Sequence, residues 1–88
     1  MTQQPEERPI GKITHYFGKI GVGIIELTGA LKVGDTIHIR GATANFTQPV
    51  GSMQLEHEPV QEATAGQAIG IKVAERVHEG DAVFLVVG

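Results

Sequence analysis

Five basic residues and one tyrosine are the side chains of this sequence best suited to contacting a nucleic acid. They are Lys12, Tyr16, Lys19, Arg40, Lys72 and Arg76. Basic side chains neutralise phosphates, and an aromatic ring gives a base a surface on which to stack. If these residues line one side of a small barrel, they form a candidate RNA contact. The alternative is that they are ordinary charges of a solvated surface.

The histidines and glutamates do not form a catalytic or metal-binding pattern. The four histidines are His15, His38, His57 and His78, and the chain has no cysteine. No two of these histidines have the spacing of metal ligands. His15 alternates with Ile13 and Phe17, so it is expected to be buried and hydrogen-bonded. We therefore expect neither a metal nor a cofactor.

Glu56 and Glu58 flank His57 and resemble an acid–base cluster. On a strand, however, the two glutamates would share the face opposite the histidine. The sequence contains neither a nucleophile-elbow motif nor a dinucleotide-binding glycine pattern. The sequence therefore predicts a protein that is not an enzyme.

Composition limits the class of protein and its surroundings. The 88 residues suffice for one domain, and the formal net charge is −3. An acidic chain lacks the basic stripe of a dedicated nucleic-acid binder, so any RNA contact must be local. Without cysteine, a reducing cytoplasm is the simplest setting. No apolar run approaches the roughly 20 residues of a membrane span, so no membrane contact is expected.

A short phrase that occurs three times marks the elements that position these residues. A glycine and a polar residue are followed by apolar residues at every second position, at Gly34-Asp35, Gly66-Gln67 and Gly80-Asp81. This pattern predicts a tight turn that leads into a half-buried strand. Positive φ is expected at Gly34.

The remaining pattern divides the chain into a lead-in and one domain. Residues 1–9 are polar and contain two prolines, so they are expected to be flexible, and residues 10–88 are expected to form a single β-barrel. No helical period persists without glycine. Closure removes exposed sheet edges, so the prediction is an all-β, small closed six-stranded antiparallel barrel. Its strands are predicted at 10–17, 20–27, 36–40, 47–57, 69–73 and 83–87.

Several spaced motifs resemble the second domain of translational GTPases. They are Thr28-Gly-Ala-Leu-Lys-Val-Gly-Asp-Thr-Ile37, residues 50–57, residues 63–73 and residues 79–83. The likeness is greatest to elongation factors that deliver aminoacyl-tRNA, and it covers residues 10–87. It implies a six-stranded barrel that contacts the tRNA acceptor end or ribosomal RNA. No phosphate-binding loop occurs, so no nucleotide binding is expected. The chain is expected to be a stand-alone relative of this domain or a fragment of something larger.

The resemblance also points to two contact positions. The family often reads Met-His-His where this chain has Leu55-Glu56-His57, so an acid replaces one histidine. Gln54 stands where the bacterial factor commonly has a glutamate near the terminal adenosine, and His57 where it has an arginine. Strict alternation puts Gln54 and His57 on opposite faces unless a bulge intervenes.

Two functions of different classes follow. The first is a nonenzymatic translation-associated module that binds tRNA or ribosomal RNA. The second is an accessory barrel that docks on a protein partner, as similar barrels do in collagenase-like peptidases. A basic, aromatic-bearing face favours the first function, and an apolar patch favours the second.

Overall fold

The computed structural model describes residues 6–87, which form ten β-strands. The strands are β1 (Glu6–Phe17), β2 (Val22–Leu27), β3 (Leu31–Lys32), β4 (Thr36–Arg40), β5 (Asn45–Pro49), β6 (Met53–Leu55), β7 (Glu58–Val60), β8 (Glu62–Ala63), β9 (Ala68–Lys72) and β10 (Ala82–Val87). The described part of the chain contains no helix capable of crossing a membrane.

Eight strands form one antiparallel sheet in the order β5-β4-β10-β1-β2-β9-β6-β7, and β3 pairs with β8 in a separate ribbon. Alternate side chains of the long strands point to one side of this sheet and pack together. The largest fully buried ones are Ile13, Ile25, Leu27, Leu31, Ile37, Ile39, Met53, Ile69 and Ile71. A single buried face explains the clean alternation in the sequence, because the other face meets water. The all-β antiparallel fold is confirmed.

The number and bounds of the strands differ from the six predicted. The predicted strand at 47–57 is divided, since β5 ends at Pro49 and β6 begins at Met53. Two further strands, β7 and β8, lie between residues 58 and 63, where none of the six strands was predicted. Pro59 fits within β7 because this strand lies at the edge of the sheet and pairs only with β6. Short edge strands carry too few alternating residues to be recognised from their sequence.

The first strand begins at Glu6, four residues before the predicted barrel. Residues 6–9 pair with residues 84–87 of β10, whereas residues 1–5 of the predicted lead-in lie outside the described residues. Glu7, Arg8 and Pro9 are exposed. This segment is held to β10 by backbone pairing and not by burial of apolar side chains. Its polar sequence therefore did not indicate a strand.

The repeated glycine phrase forms the same turn at each of its three positions. In the first, the Asp35 N–H donates to the Lys32 carbonyl (3.1 Å), and the Asp35 carboxylate accepts from the Lys32 N–H (3.0 Å). Gly34 has a φ of 99°, as the third position of a type II turn requires.

The other two copies repeat these contacts with the residue after their glycine. The Gln67 side chain accepts from the Thr64 N–H at 2.8 Å, and the Asp81 carboxylate accepts from the His78 N–H at 2.9 Å. Gly66 and Gly80 have φ values of 90° and 91°. Each turn thus satisfies its first N–H with a side chain and leads into β4, β9 or β10.

The side-chain amide of Gln48 connects β5, at one edge of the sheet, to the chain that follows β9. Its Nε2 donates to the Lys72 carbonyl at 2.9 Å, and its Oε1 accepts from the Ala74 N–H at 2.7 Å. Gln48 is only 8% exposed. The amide therefore makes the two hydrogen bonds that a paired strand would make, and it links the edge strand to a strand on the far side of the core.

Gln48→Met tests this link, because methionine keeps the length of the side chain but loses both hydrogen bonds. Leaving the Lys72 carbonyl and the Ala74 N–H unpaired should lower the free energy of unfolding by about 1–3 kcal/mol. Urea denaturation measures the change, and Thr47→Ala at the exposed neighbouring position is the control. Equal stability of Gln48→Met and the unmodified chain would show that the amide does not hold the sheet together.

Candidate functional site

An open groove crosses the outer face of the sheet over β2, β9 and β6. Its volume is about 320 Å³, and it is lined by Phe17, Ile20, Val22, Ile24, Gln54, Glu56, His57, Ala68 and Gly70. Most of these residues are apolar, although they lie on the side of the sheet that faces water. We name this feature the outer groove.

Gly70 forms the floor of the outer groove. In the register of the sheet it lies between Ile24 on β2 and Gln54 on β6. A Cβ atom at this position would lie 3.3 Å from Cγ1 of Val22 and 3.5 Å from Cδ1 of Ile24. The absence of a side chain at Gly70 therefore leaves the floor open between the strands.

Phe17 and Ile20 form the apolar wall and are 50% and 62% exposed. They flank the turn that joins β1 to β2, where the N–H groups of Ile20 and Gly21 donate to the Phe17 carbonyl at 3.2 and 2.9 Å. Gly21 has a φ of 67°, which lets the chain reverse there. The turn therefore holds two large apolar side chains in water beside the groove.

The polar wall is the hairpin between β6 and β7. Its two turn residues, Glu56 and His57, have φ values of 52° and 68°. Two consecutive positive φ values are the signature of a type I′ turn, which glycine and asparagine normally occupy. Each such residue other than glycine costs backbone energy, so this conformation is typical of functional positions.

The hairpin corrects the expected orientation of Gln54 and His57. Both line the outer groove, although strict alternation put them on opposite faces. A two-residue turn, rather than a bulge, brings them together, because the predicted strand ends at Leu55. Glu56 lines the groove as well, and sequence reasoning did not include it among the contact residues. Its one signal was the replacement of a family histidine by an acid.

A register shift in β1 reverses the expected faces of His15 and Tyr16. The shift lies between Ile13 and His15, which pair with Ile25 and Ile24 of β2. His15 is consequently exposed, and its Nδ1 lies 3.4 Å from Oε1 of Glu79. The expectation that His15 is buried is therefore wrong. Tyr16 lies opposite buried Gly23 and packs against the core, away from the outer groove.

The five predicted basic residues are all exposed but are not gathered into one patch. Lys19 belongs to the turn that carries Ile20, and Lys72 lies opposite Val22, so both flank the outer groove. Lys12 lies farther along β1, opposite Glu26. Arg40 lies over the ring of Phe84, 5.9 Å from its centroid. Arg76 lies in the connection between β9 and β10.

His38 belongs to a separate polar cluster on β4. Its Nδ1 donates to the Glu7 carboxylate at 2.7 Å, and its Nε2 lies 2.5 Å from Oδ1 of Asn45. These contacts tie β1, β4 and β5 together. The described residues contain no group of three or more ligating side chains that could hold a metal ion. Among the residues that the structure describes, the lining of the outer groove includes no serine, threonine or cysteine.

Comparison with a family model supports the resemblance seen in the sequence. The model of elongation factor Tu domain 2 matches residues 18–83. An elongation factor 1-alpha from Pyrococcus horikoshii is 38% identical over 87 aligned positions, which cover 83% of this chain and 20% of that protein. The predicted relation to the second domain of translation factors is confirmed.

Other relatives are proteases. An uncharacterized protease from Methanocaldococcus jannaschii is 41% identical over 78 residues, covering 88% of this chain and 19% of the protease. A collagenase from Porphyromonas gingivalis is 38% identical over 77 residues, covering 85% of this chain and 21% of the collagenase. The chain thus spans about a fifth of the length of these curated relatives.

A solved structure has the same fold. The C-terminal domain of a putative U32 peptidase from Geobacillus thermoleovorans matches with a TM-score of 0.83 at 19% identity. The match covers 86% of this chain and 96% of that domain.

Replacing the turn residues tests the strain in the polar wall. The double variant Glu56→Asn/His57→Gly should be more stable than the unmodified chain by about 1–2 kcal/mol, because these residues adopt positive φ at lower cost. Glu56→Val, which introduces a β-branched residue at positive φ, should be less stable. Thermal unfolding followed by circular dichroism compares the three proteins. A double variant less stable than Glu56→Val would contradict the assigned turn.

Proposed function

This chain belongs to the elongation factor Tu domain 2 family, and we propose that it serves as a nonenzymatic accessory barrel of a peptidase-like protein. In this role it binds another protein through the outer groove. The observation that carries the proposal is the exposure of Phe17 and Ile20 beside an apolar groove. Apolar side chains on the outer face add nothing to the core. They gain about 25 cal/mol per Å² when a partner removes them from water.

The relatives support this choice of partner class. The protease and collagenase relatives each contain a segment like this chain within a much longer protein. In the Geobacillus peptidase, the matching unit is a C-terminal domain. A domain of this kind without a nucleophile in its groove fits a role in binding rather than in peptide hydrolysis.

The arrangement of the basic residues also favours a protein partner. Lys19 and Lys72 flank the outer groove, whereas Arg40 is engaged with Phe84 on another part of the sheet. Tyr16, the proposed stacking surface, packs against the core. Glu56 adds a negative charge to the groove, which opposes contact with phosphates.

RNA binding is the second candidate, and one observation favours it. Gln54 and His57, the two positions that the resemblance links to the tRNA acceptor end, line the same groove with the lysines beside it. A small contact of this kind would engage the unpaired end of a tRNA and a few phosphates.

The protein-binding proposal is tested with the Methanocaldococcus protease from which the segment matching this chain has been deleted. The purified chain should bind this truncated protease, and Ile20→Asp should weaken binding about tenfold or more, since burying one isoleucine contributes about 1.5–3 kcal/mol. Thr43→Asp, in an exposed loop away from the groove, is the matched control. Biolayer interferometry measures both. Absence of binding by the unmodified chain, or equal affinities for the two variants, would contradict the proposal.

The RNA alternative predicts a weak and shallow dependence on salt. With about three phosphates contacted by single-stranded acceptor ends, the slope of log affinity against log salt should be near −2. Lys19→Glu and Lys72→Glu, at the two lysines that flank the outer groove, should each reduce binding, measured by fluorescence anisotropy with labelled tRNA. No binding at low salt would reject the RNA function.

A further inference from the structure

Opposite charges stand on the two walls of the outer groove. Lys19 belongs to the turn of the apolar wall, and Glu56 belongs to the hairpin turn of the polar wall. Among the side chains that the structure describes, the ion pairs within 4 Å are His15–Glu79 and His38–Glu7. Lys19 and Glu56 are both exposed and are therefore accessible to a charged group of a partner.

The same surface also presents an apolar projection and an apolar recess. Ile20 is 62% exposed at the rim, and the open floor at Gly70 lies between the walls. Consider a second copy related by a 180° rotation about an axis that lies in the plane of contact and runs along the groove. This rotation exchanges the two walls. It sets the lysine turn of one copy against the glutamate turn of the other, and Ile20 of each copy over the other's groove.

We infer that the outer groove binds a second copy of this chain in a two-fold symmetric dimer, with Lys19 of each copy opposite the partner's Glu56. The inference rests on the proposed function, in which the groove is a protein-binding surface, and it names the partner. A two-fold interface uses one patch twice, so that patch must be complementary to itself. The patch meets this requirement in two ways: Ile20 of one copy fits the groove of the other, and Lys19 of one copy faces Glu56 of the other.

Charge complementarity distinguishes this partner from others. A nucleic acid would meet the carboxylate of Glu56, and a purely apolar segment would leave both charges unpaired in the contact. In the symmetric dimer each charge occurs twice and has an opposite charge facing it. Like charges brought together at these positions disfavour association, so the two residues also fix the register of the contact.

A charge exchange tests the dimer. Sedimentation equilibrium of the unmodified chain should give a monomer–dimer equilibrium in the micromolar to millimolar range. Lys19→Glu and Glu56→Lys should each raise the dissociation constant about tenfold or more, because every substitution places two like-charged pairs in the interface. The double variant Lys19→Glu/Glu56→Lys restores opposite charges, and its dissociation constant should return to within about threefold of the original.

Lys32 and Glu62 provide a matched control. They are exposed, oppositely charged and paired across the separate β3–β8 ribbon. Lys32→Glu and Glu62→Lys change the net charge by the same amounts as the groove variants and should leave the dissociation constant unchanged. Circular dichroism and urea midpoints verify that every variant is folded as the unmodified chain is.

The outcomes separate this inference from the proposed function. A chain that stays monomeric at millimolar concentration, or a dimer unaffected by the single charge reversals, overturns the dimer. So does a double variant as weak as the single ones. If the chain is monomeric and Ile20→Asp still weakens binding to the truncated protease, the dimer fails and the proposed function stands. A dimer restored by charge exchange, without binding to the protease, keeps the groove as a protein-binding surface with this chain as its partner and rejects docking on the protease.

Discussion

Two hydrogen bonds join the Gln48 side chain to the backbone at Lys72 and Ala74, and the arrangement of this sheet depends on them. The sheet has one buried face, and its edge strand β5 lies across the core from the end of the interior strand β9. Gln48 supplies one donor and one acceptor, so the Lys72 carbonyl and the Ala74 N–H are both hydrogen-bonded. Direct backbone pairing places β2, β9 and β6 side by side, and the outer groove lies on their outer face.

The outer groove combines features that stability alone would not select. Phe17 and Ile20 are exposed, and Glu56 and His57 occupy a turn that glycine and asparagine fit better. Gly70 leaves open a floor that a larger side chain would fill. The positive-φ turn and the strand glycine cost folding free energy, the exposed apolar side chains gain little from folding, and all of them border the same cavity. Residues that weaken a fold together at one place are typical of a binding site.

Membership of the family accounts for the fold, whereas the partner depends on the side chains at the surface. Proteins matched by this chain include an elongation factor and proteases, so one fold serves within different proteins. In this chain Glu56 places an acid in the outer groove and Tyr16 packs against the core, and these two features are the basis for proposing a protein as the partner.

The sequence by itself determined the all-β fold, the three glycine turns and the family relation. These features are local: a two-residue period, a glycine with a polar neighbour and the order of short motifs along the chain all act within a few residues. The Asp35, Gln67 and Asp81 side chains bond three residues back, so the turns needed no distant partner.

Only the tertiary structure decided which residues meet. One register shift in β1 exchanged the faces of His15 and Tyr16, and one hairpin turn put Gln54 and His57 in the same groove. Residues 6–9 joined the sheet through backbone pairing with β10, which their polar side chains did not reveal. Side-chain alternation tells which residues of a strand share a face. It cannot tell where a bulge reverses that face or which strand lies next to it, because both depend on hydrogen bonds to distant parts of the chain.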